Sequence, residues 1–360
     1  MSTNEQPDAA RIEANAAAIA VNPVYENERL AELTHWGAPW ANLRVAVVGM
    51  GTSGDAVTDV LAQLGAHIVV IDGADTPEKR ERIEIYKNAY GNVEGLFGPE
   101  HMRALPLVDG QEPELVVTSP GVRPDHPVML DAYERRIQIW GDVELAWRLN
   151  ERSDRLTPKW LCLTGTNGKT TTVGMVDSIL KAAGKKSIQV GNVGMPIVYA
   201  IADDEPYEFF AVELSSFQLH WTYSMSPYAS VVLNIAEDHV DWHGSFDAYK
   251  ADKARVYEHT QVACIFNTDH VDTLRMVENA DVIEGARAIG FSSTEMPAVS
   301  MLGLAEDIMV DRAFLKNRYN EAYELAVLED LAPAPGKMPA KHTVENALAA
   351  AALCRAADID

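Results

Sequence analysis

Short runs of β-branched and aliphatic residues alternate along the chain with longer amphipathic stretches. The first run is Arg44-Val45-Ala46-Val47-Val48, closed by Gly49. A helical stretch follows through Leu64, and further runs lie at His67–Ile71 and Leu115–Thr118. Apolar runs of this length, bounded by turn residues, predict buried strands. The polar stretch 150–158, Asn-Glu-Arg-Ser-Asp-Arg-Leu-Thr-Pro, reads as a linker. A second series then begins, with predicted strands at Trp160–Leu163, Phe209–Val212, Ser230–Leu233 and Ala263–Phe266. Helices are predicted at Thr170–Ala183 and Phe246–Tyr257. After a loop at Pro333-Ala334-Pro335-Gly336, a last helix is predicted from Val344 to Ala357, close to the final residue, Asp360. Strands alternating with helices predict an α/β protein with parallel sheets wrapped by helices. Two α/β domains are expected, at 43–153 and 154–360. Residues 1–42, rich in Ala, Asn and Glu, are expected to be a partly helical, loosely ordered extension, with order beginning at Arg44.

Composition narrows the function classes. At 360 residues with 47% apolar and 23% charged positions, the chain can bury two ordinary cores. Lys and Arg number 30 against 53 Asp and Glu, a net charge of −23. Such a surface repels nucleic-acid phosphates, so no nucleic-acid partner is expected. A local nest of backbone N–H groups can still bind a small phosphate ligand. No apolar run is long enough to cross a bilayer, and Met1–Arg11 lacks the basic-then-apolar order of a secretory signal. A cytoplasmic location without a membrane partner is the expectation. Cys162, Cys264 and Cys354 match no metal spacing and sit among apolar residues, which predicts buried packing.

Five motifs carry candidate chemistry. Gly49-Met50-Gly51-Thr52-Ser53-Gly54 follows a predicted strand and opens a helix, and Asp72 ends the next strand. That is the dinucleotide-binding fingerprint, in which glycines let backbone N–H groups approach a pyrophosphate at a helix N-terminus. It predicts a Rossmann-like first domain; a nicotinamide dinucleotide, a UDP-sugar or a merely structural turn all remain open. Thr164-Gly165-Thr166-Asn167-Gly168-Lys169-Thr170 also joins a strand to a helix. Its glycines are three apart rather than the usual five, yet Lys169 can meet β/γ phosphates and Thr170 can meet Mg²⁺. It predicts a P-loop-type ATPase domain. Glu213-Leu214-Ser215-Ser216-Phe217-Gln218 places a carboxylate at a strand's C-terminal end, as a metal ligand or a helix-start acid. Asn234–His243 puts five ionisable side chains in seven positions, for metal or phosphate handling or as a solvated acidic turn. Finally, Lys250 and Lys253 lie three apart on a helix, and spacing alone predicts a solvated cationic face.

In their order these motifs resemble the Mur ligase family. The resemblance runs from about Leu43 to the end and includes Ser119-Pro120-Gly121, Gly191-Asn192-Val193-Gly194 and His342–Ala350. Ser216-Phe217-Gln218 is similar to the members that add D-glutamate; those adding later residues usually carry Ser-His there. The resemblance implies that ATP phosphorylates the carboxylate of UDP-N-acetylmuramoyl-L-alanine and that the amine of D-glutamate attacks the acyl phosphate. It implies Lys169, Asn192, His239 and Lys253 as catalytic residues. Gly165, Thr166, Asn167, Gly168, Lys169, Thr170, Thr171 and Asn346 would bind ATP. Gly51, Thr52, Ser53, Asp72, Ser119, Asn192 and His239 would bind the UDP-substrate. Two Mg²⁺ sites would draw on Thr170, Glu213, His239 and a carbamylated Lys253. His342-Thr343 replaces the family's His-Asn, and Gly73-Ala74 replaces polar residues after the second strand, so adenine and uridine contacts are expected to differ. Family members carry a third, C-terminal Rossmann-like domain beyond the point where this chain stops. The chain is therefore expected to bind nucleotide and UDP-sugar better than it ligates, as a monomer. Three other readings compete: a Mur-type ligase for another amino acid, a nicotinamide-dependent dehydrogenase argued from Gly49–Gly54 and Asp72, and a non-catalytic nucleotide-binding module.

Overall fold

A computed structural model describes residues 22–360, so the first half of the expected N-terminal extension lies outside the described residues. The chain divides into two compact units. One comprises the residues up to Ser153 together with Pro196–Asp203; the other comprises Asp154–Met195 and Asp204–Asp360.

In the first unit, α1 (Glu28–Glu32) precedes β1 (Arg44–Val48), α2 (Thr52–Gln63), β2 (His67–Asp72), α3 (Pro77–Tyr90) and β3 (Val93–Phe97). Then come β4 (Leu115–Thr118), α4 (Pro127–Glu134), β5 (Gln138–Gly141) and α5 (Asp142–Leu149). The strands form one sheet in the order β3-β2-β1-β4-β5, parallel throughout. Strand order reverses between β1 and β4, and ligands of such sheets bind in the crevice beyond that point. Order begins well before Arg44, contrary to the sequence reading. Leu30, Leu33, Trp40 and Leu43 are buried, Trp40 packs edge-on against Trp140 at 6.5 Å, and Arg29 grips both oxygens of Glu114 at 2.9 Å. Once buried, two indoles and a bidentate ion pair outweigh the weak local propensity of this segment. Helix α3 starts at a Thr76 hydroxyl that accepts from the Lys79 N–H at 3.4 Å. Thr76→Ala should therefore lower stability by about 1 kcal/mol, read as a lower thermal midpoint with unchanged nucleotide affinity.

In the second unit, β6 (Lys159–Thr164), α6 (Lys169–Ala182) and β7 (Ser187–Gly191) come first. Helix α7 (Ile197–Ala202) returns to the first unit, where Tyr199 donates to Asp59 at 3.1 Å. The second series continues with β8 (Phe209–Glu213), α8 (Ser216–His220), β9 (Ala229–Val232), α9 (Val240–His243), α10 (Phe246–Ala254), β10 (Ala263–Asn267), α11 (Val271–Asn279) and β11 (Arg287–Phe291). It closes with β12 (Met301–Ala305), β13 (Ile308–Asp311), β14 (Tyr323–Val327) and α12 (Lys341–Ala356). The sheet runs β14-β13-β12-β11-β10-β9-β6-β8-β7. It is parallel from β7 to β12, while β12, β13 and β14 pair antiparallel. Only Glu306 and Asp307 separate β12 from β13, with Glu306 at φ 59°. A two-residue connection can reverse the chain but cannot carry a parallel crossover. Helices α6 and α12 share one core with the sheet through Val173, Val176, Leu180, Ala347, Leu348 and Ala350. All three cysteines are free and buried, and burial raises each thiol's pKa. Among the described residues, no helix is long and apolar enough to cross a membrane.

Candidate active site

Three adjacent strands, β8, β6 and β9, end beside one another in register, with Leu163 opposite Glu213 and Thr164 opposite Val232. Each releases one of the sequence motifs. The loop after β6 is clamped by the loop after β9: Thr166 N–H donates to Asn234 O at 3.0 Å and Asn167 N–H to Asn234 Oδ1 at 2.9 Å. Asn234 Nδ2 returns a bond to Asn167 O at 3.0 Å. The Thr166 hydroxyl lies 2.9 Å from the Tyr249 hydroxyl and accepts from Ala236 N–H at 3.0 Å. Gly168 sits at φ 86°, and a Cβ there would lie 2.4 Å from Asn346 Oδ1. Only glycine tolerates both the left-handed backbone and that approach. Helix α6 then begins, so its unpaired N–H groups point at the loop. Lys169 is half-buried and its Nζ donates to Thr166 O at 3.1 Å, while Thr170 and Thr171 are exposed.

Glu213 is only 1% exposed. Its Oε1 accepts from Asn192 Nδ2 at 3.0 Å, and its Oε2 has no hydrogen-bond partner. A buried carboxylate oxygen left without a donor costs on the order of 1–3 kcal/mol. A hard cation would relieve that cost, so the donor set fits Mg²⁺. Lys253 is 2% exposed, and its Nζ donates to Thr164 Oγ1 at 3.2 Å and Gly165 O at 2.9 Å. This overturns the cationic face expected from spacing. Lys250 does lie outward, paired with Asp247 at 3.0 Å, but Lys253 faces inward under the phosphate loop. Burial, reinforced by the charge of Lys169, lowers the Lys253 pKa to about 7, against the pull of Asp238, Glu213 and Asp252.

Lys169, Lys253, Asp238, His239 and Ser216 line one small cavity. His239 adopts φ 50°, its exposed ring packs on Phe217 at 4.8 Å, and its Nε2 is 3.4 Å from Asp238 Oδ2. Among the described residues no three His, Cys, Asp or Glu side chains gather as a metal cluster. Of the expected ligands only Glu213 and His239 are of those types; Thr170 would add a hydroxyl, and Lys253 would become a ligand only as a carbamate. The sequence reading also missed a buried chain behind the cavity. Asp252 Oδ2 takes His220 Nδ1 at 2.9 Å and His243 Nδ1 at 2.8 Å, and His243 Nε2 meets Ser216 Oγ at 3.0 Å. Burial works to raise the Asp252 pKa, but bonds from both imidazoles hold it down at about 2.

In the first unit, Gly51 and Thr52 open onto a cleft of about 370 Å³ shared with Lys79 and Arg82. Asp72 accepts from Met50 N–H at 2.7 Å and Ala74 N–H at 2.8 Å, and pairs with Lys79 at 2.7 Å. Burial works against these bonds, yet its pKa is lowered. These partners fill three of the carboxylate's roughly four acceptor positions. The Ser53 hydroxyl donates to Asp142 at 2.8 Å and that of Ser119 to Gly49 O at 2.9 Å. These two serines hold the turn, while Lys79, which no motif marked, adds positive charge at the cleft.

Residues 163–354 match the Mur ligase middle domain, and residues 43–141 match the Mur ligase MurD-like, N-terminal domain. The chain is 44% identical over 344 residues to the UDP-N-acetylmuramoylalanine--D-glutamate ligase of Leifsonia xyli, covering 92% of this chain and 65% of that protein. It is 46% identical over 317 residues to the enzyme of the same name from Streptomyces avermitilis, covering 88% and 64%. The chain thus spans slightly under two thirds of the length of these curated relatives. Among solved structures, the UDP-N-acetylmuramate:L-alanyl-gamma-D-glutamyl-meso-diaminopimelate ligase from Neisseria meningitides is similar in fold. Its TM-score is 0.51 at 15% identity, over 89% of this chain and 95% of that one.

Proposed function

The chain belongs to the Mur ligase family, and on that premise we propose that it carries the nucleotide and UDP-sugar sites of an ATP-dependent ligase adding D-glutamate to UDP-N-acetylmuramoyl-L-alanine. One observation supports this most. Lys169 and the unpartnered oxygen of Glu213 follow the neighbouring strands β6 and β8, and Lys253 reaches in from α10 to Gly165 O in the loop that carries Lys169.

A carboxylate is a poor electrophile and its oxygen a poor leaving group. Attack of the substrate carboxylate on the γ-phosphorus of ATP releases ADP and leaves an acyl phosphate. The amine of D-glutamate then adds to the carbonyl carbon, and the tetrahedral adduct collapses to an amide, expelling inorganic phosphate and losing a proton to solvent. Such a sequence needs positioning and charge neutralisation more than covalent help from the protein. The N–H groups of Gly165, Thr166, Asn167 and Gly168 cradle the phosphates, Lys169 neutralises the β/γ oxygens, and Thr170 and Thr171 offer hydroxyls. Asn346, wedged against Gly168, borders the adenine side. Asn192 and His239 orient the reacting carboxylate. Glu213, Thr170, His239 and Lys253, once carbamylated, would hold Mg²⁺. When bound, the ion supplies charge that offsets the phosphate oxygens. Gly51, Thr52, Ser53, Asp72 and Ser119 form the turn that receives the UDP moiety. A monomeric cytoplasmic enzyme, drawing on the ATP pool there, is part of the same reading.

Phosphate release by the full-length protein should require ATP, Mg²⁺, UDP-N-acetylmuramoyl-L-alanine and D-glutamate together. If L-alanine or diaminopimelate drove release while D-glutamate stayed inert, the assignment would move to another family member. Tight binding of NADH in a fluorescence titration, with no phosphate release, would sink it altogether.

A further inference from the structure

Ser216 and His220 lie on α8, His243 on α9, and Asp252 on α10. Those three short elements also deliver the working parts of the cavity: α8 follows Glu213, His239 caps α9, and α10 carries Lys253. All four linked side chains are buried, none more than 8% exposed. Apolar residues of similar size would fill this space without the cost of dehydrating a carboxylate. A chain of buried polar groups therefore calls for a reason beyond packing.

The bonding fixes the direction of each proton. The Asp252 carboxylate only accepts, so His220 and His243 both donate to it from Nδ1. In neutral His243 the Nε2 atom then accepts, and the Ser216 hydroxyl donates to it at 3.0 Å. The Ser216 oxygen, on the cavity wall with Lys169 and Lys253, is left presenting its lone pairs. Asp252 immediately precedes Lys253, so whatever fixes the Asp252 carboxylate also fixes the rotation of α10 that points Lys253 at Gly165.

We propose that Ser216, His243, Asp252 and His220 form a buried positioning chain that locks Lys253 under the phosphate loop and holds the Ser216 hydroxyl as an acceptor facing the cavity. The proposal rests on the reading above only in assigning Lys253 to the nucleotide site.

Two substitutions divide the chain. Asparagine at His243 can reproduce the Nδ1 donor to Asp252 but not the link to Ser216. Glutamine can reproduce the Nε2 partner of Ser216 but not the donor to Asp252. The readouts are the ¹³C carbamate resonance that Lys253 gains in ¹³C-bicarbonate, identified by its loss in Lys253→Met, and the split between kcat and ATP KM in the full-length enzyme. His243→Gln and Asp252→Asn should weaken the Lys253 resonance and lower kcat about ten- to a hundredfold, with ATP KM changed by no more than about twofold. In His243→Asn the resonance should persist while kcat falls. Should His243→Gln fail to fold, Asp252→Asn and Ser216→Ala carry the same contrast, because Ser216→Ala should spare the resonance. Equal resonances in His243→Asn and His243→Gln, or an undiminished one in Asp252→Asn, would overturn the proposal, as would the absence of any Lys253 resonance in the unaltered protein. If that resonance behaves as expected but D-glutamate releases no phosphate, the positioning chain stands and the substrate assignment fails.

Discussion

Lys169→Ala should lower turnover by about a hundredfold to a thousandfold and leave the fold intact. The Lys169 ammonium donates to a single loop carbonyl, Thr166 O, and it is half-buried beside the N-terminus of α6. Its loss leaves one half-exposed carbonyl for water to satisfy, so the stability cost is small. The catalytic cost is large, because the charge opposite the transferring phosphoryl group disappears and the loop's N–H groups cannot replace a full positive charge. A second effect follows from the same charge. Lys169 is, after burial, the strongest influence holding the Lys253 pKa down. Its removal raises the Lys253 pKa and shifts any bicarbonate response to higher pH. Steady-state kinetics with the thermal midpoint measured in parallel check the first effect; an unaltered kcat in a folded Lys169→Ala protein would remove this loop from the mechanism.

The phosphate loop was legible in the sequence because its parts are local. Glycine punctuation, the apolar run before it and the helical pattern after it all lie within some twenty residues, and β6 and α6 appear within a residue or so of where the pattern puts them. The clamp on that loop was not legible, since Asn234 reaches Asn167 across 67 positions and only strand order brings β9 beside β6. Lys253 shows the limit most clearly. Helical spacing groups Lys250 with Lys253, but it cannot say which side of α10 the fold will cover. Tertiary packing sends one to Asp247 and the other to Gly165. The chain of His220, His243 and Asp252 was hidden for the same reason: its partners are separated by as many as 32 positions. Strands β3 and β5 were missed for a local reason. One carries Glu94 and Gly95 and the other is Gln138-Ile139-Trp140-Gly141, with two apolar side chains between Gln and Gly, so neither makes an apolar run. The antiparallel edge from β12 to β14 breaks the alternation on which the parallel-sheet expectation rested.

Lys253→Met should abolish turnover to a degree comparable with Lys169→Ala, yet raise stability at acidic pH. The sign comes from comparing folded and unfolded states. Burial and the Lys169 charge lower the folded pKa to about 7, against an ordinary lysine value of 10.5. Between those values the unfolded chain binds a proton that the folded chain does not, so stability rises as pH is raised from about 7 towards 10.5. Below pH 7 the folded protein carries a buried ammonium, at a cost on the order of a few kcal/mol. A methionine of similar length fills the same space without that charge, so its advantage is greatest below about pH 7 and fades as pH rises from about 7 towards 10.5. The lowered pKa has a chemical consequence as well. A neutral amine attacks CO₂, forming a carbamate and releasing one proton, whereas an ammonium cannot. Bicarbonate should therefore raise the activity of a CO₂-depleted preparation increasingly as pH passes 7, and should do nothing for Lys253→Met. A bicarbonate effect that is flat from pH 6 to 9, or one that persists in Lys253→Met, would show that some other group takes up the CO₂. The burial of Lys253 would then be a matter of packing alone.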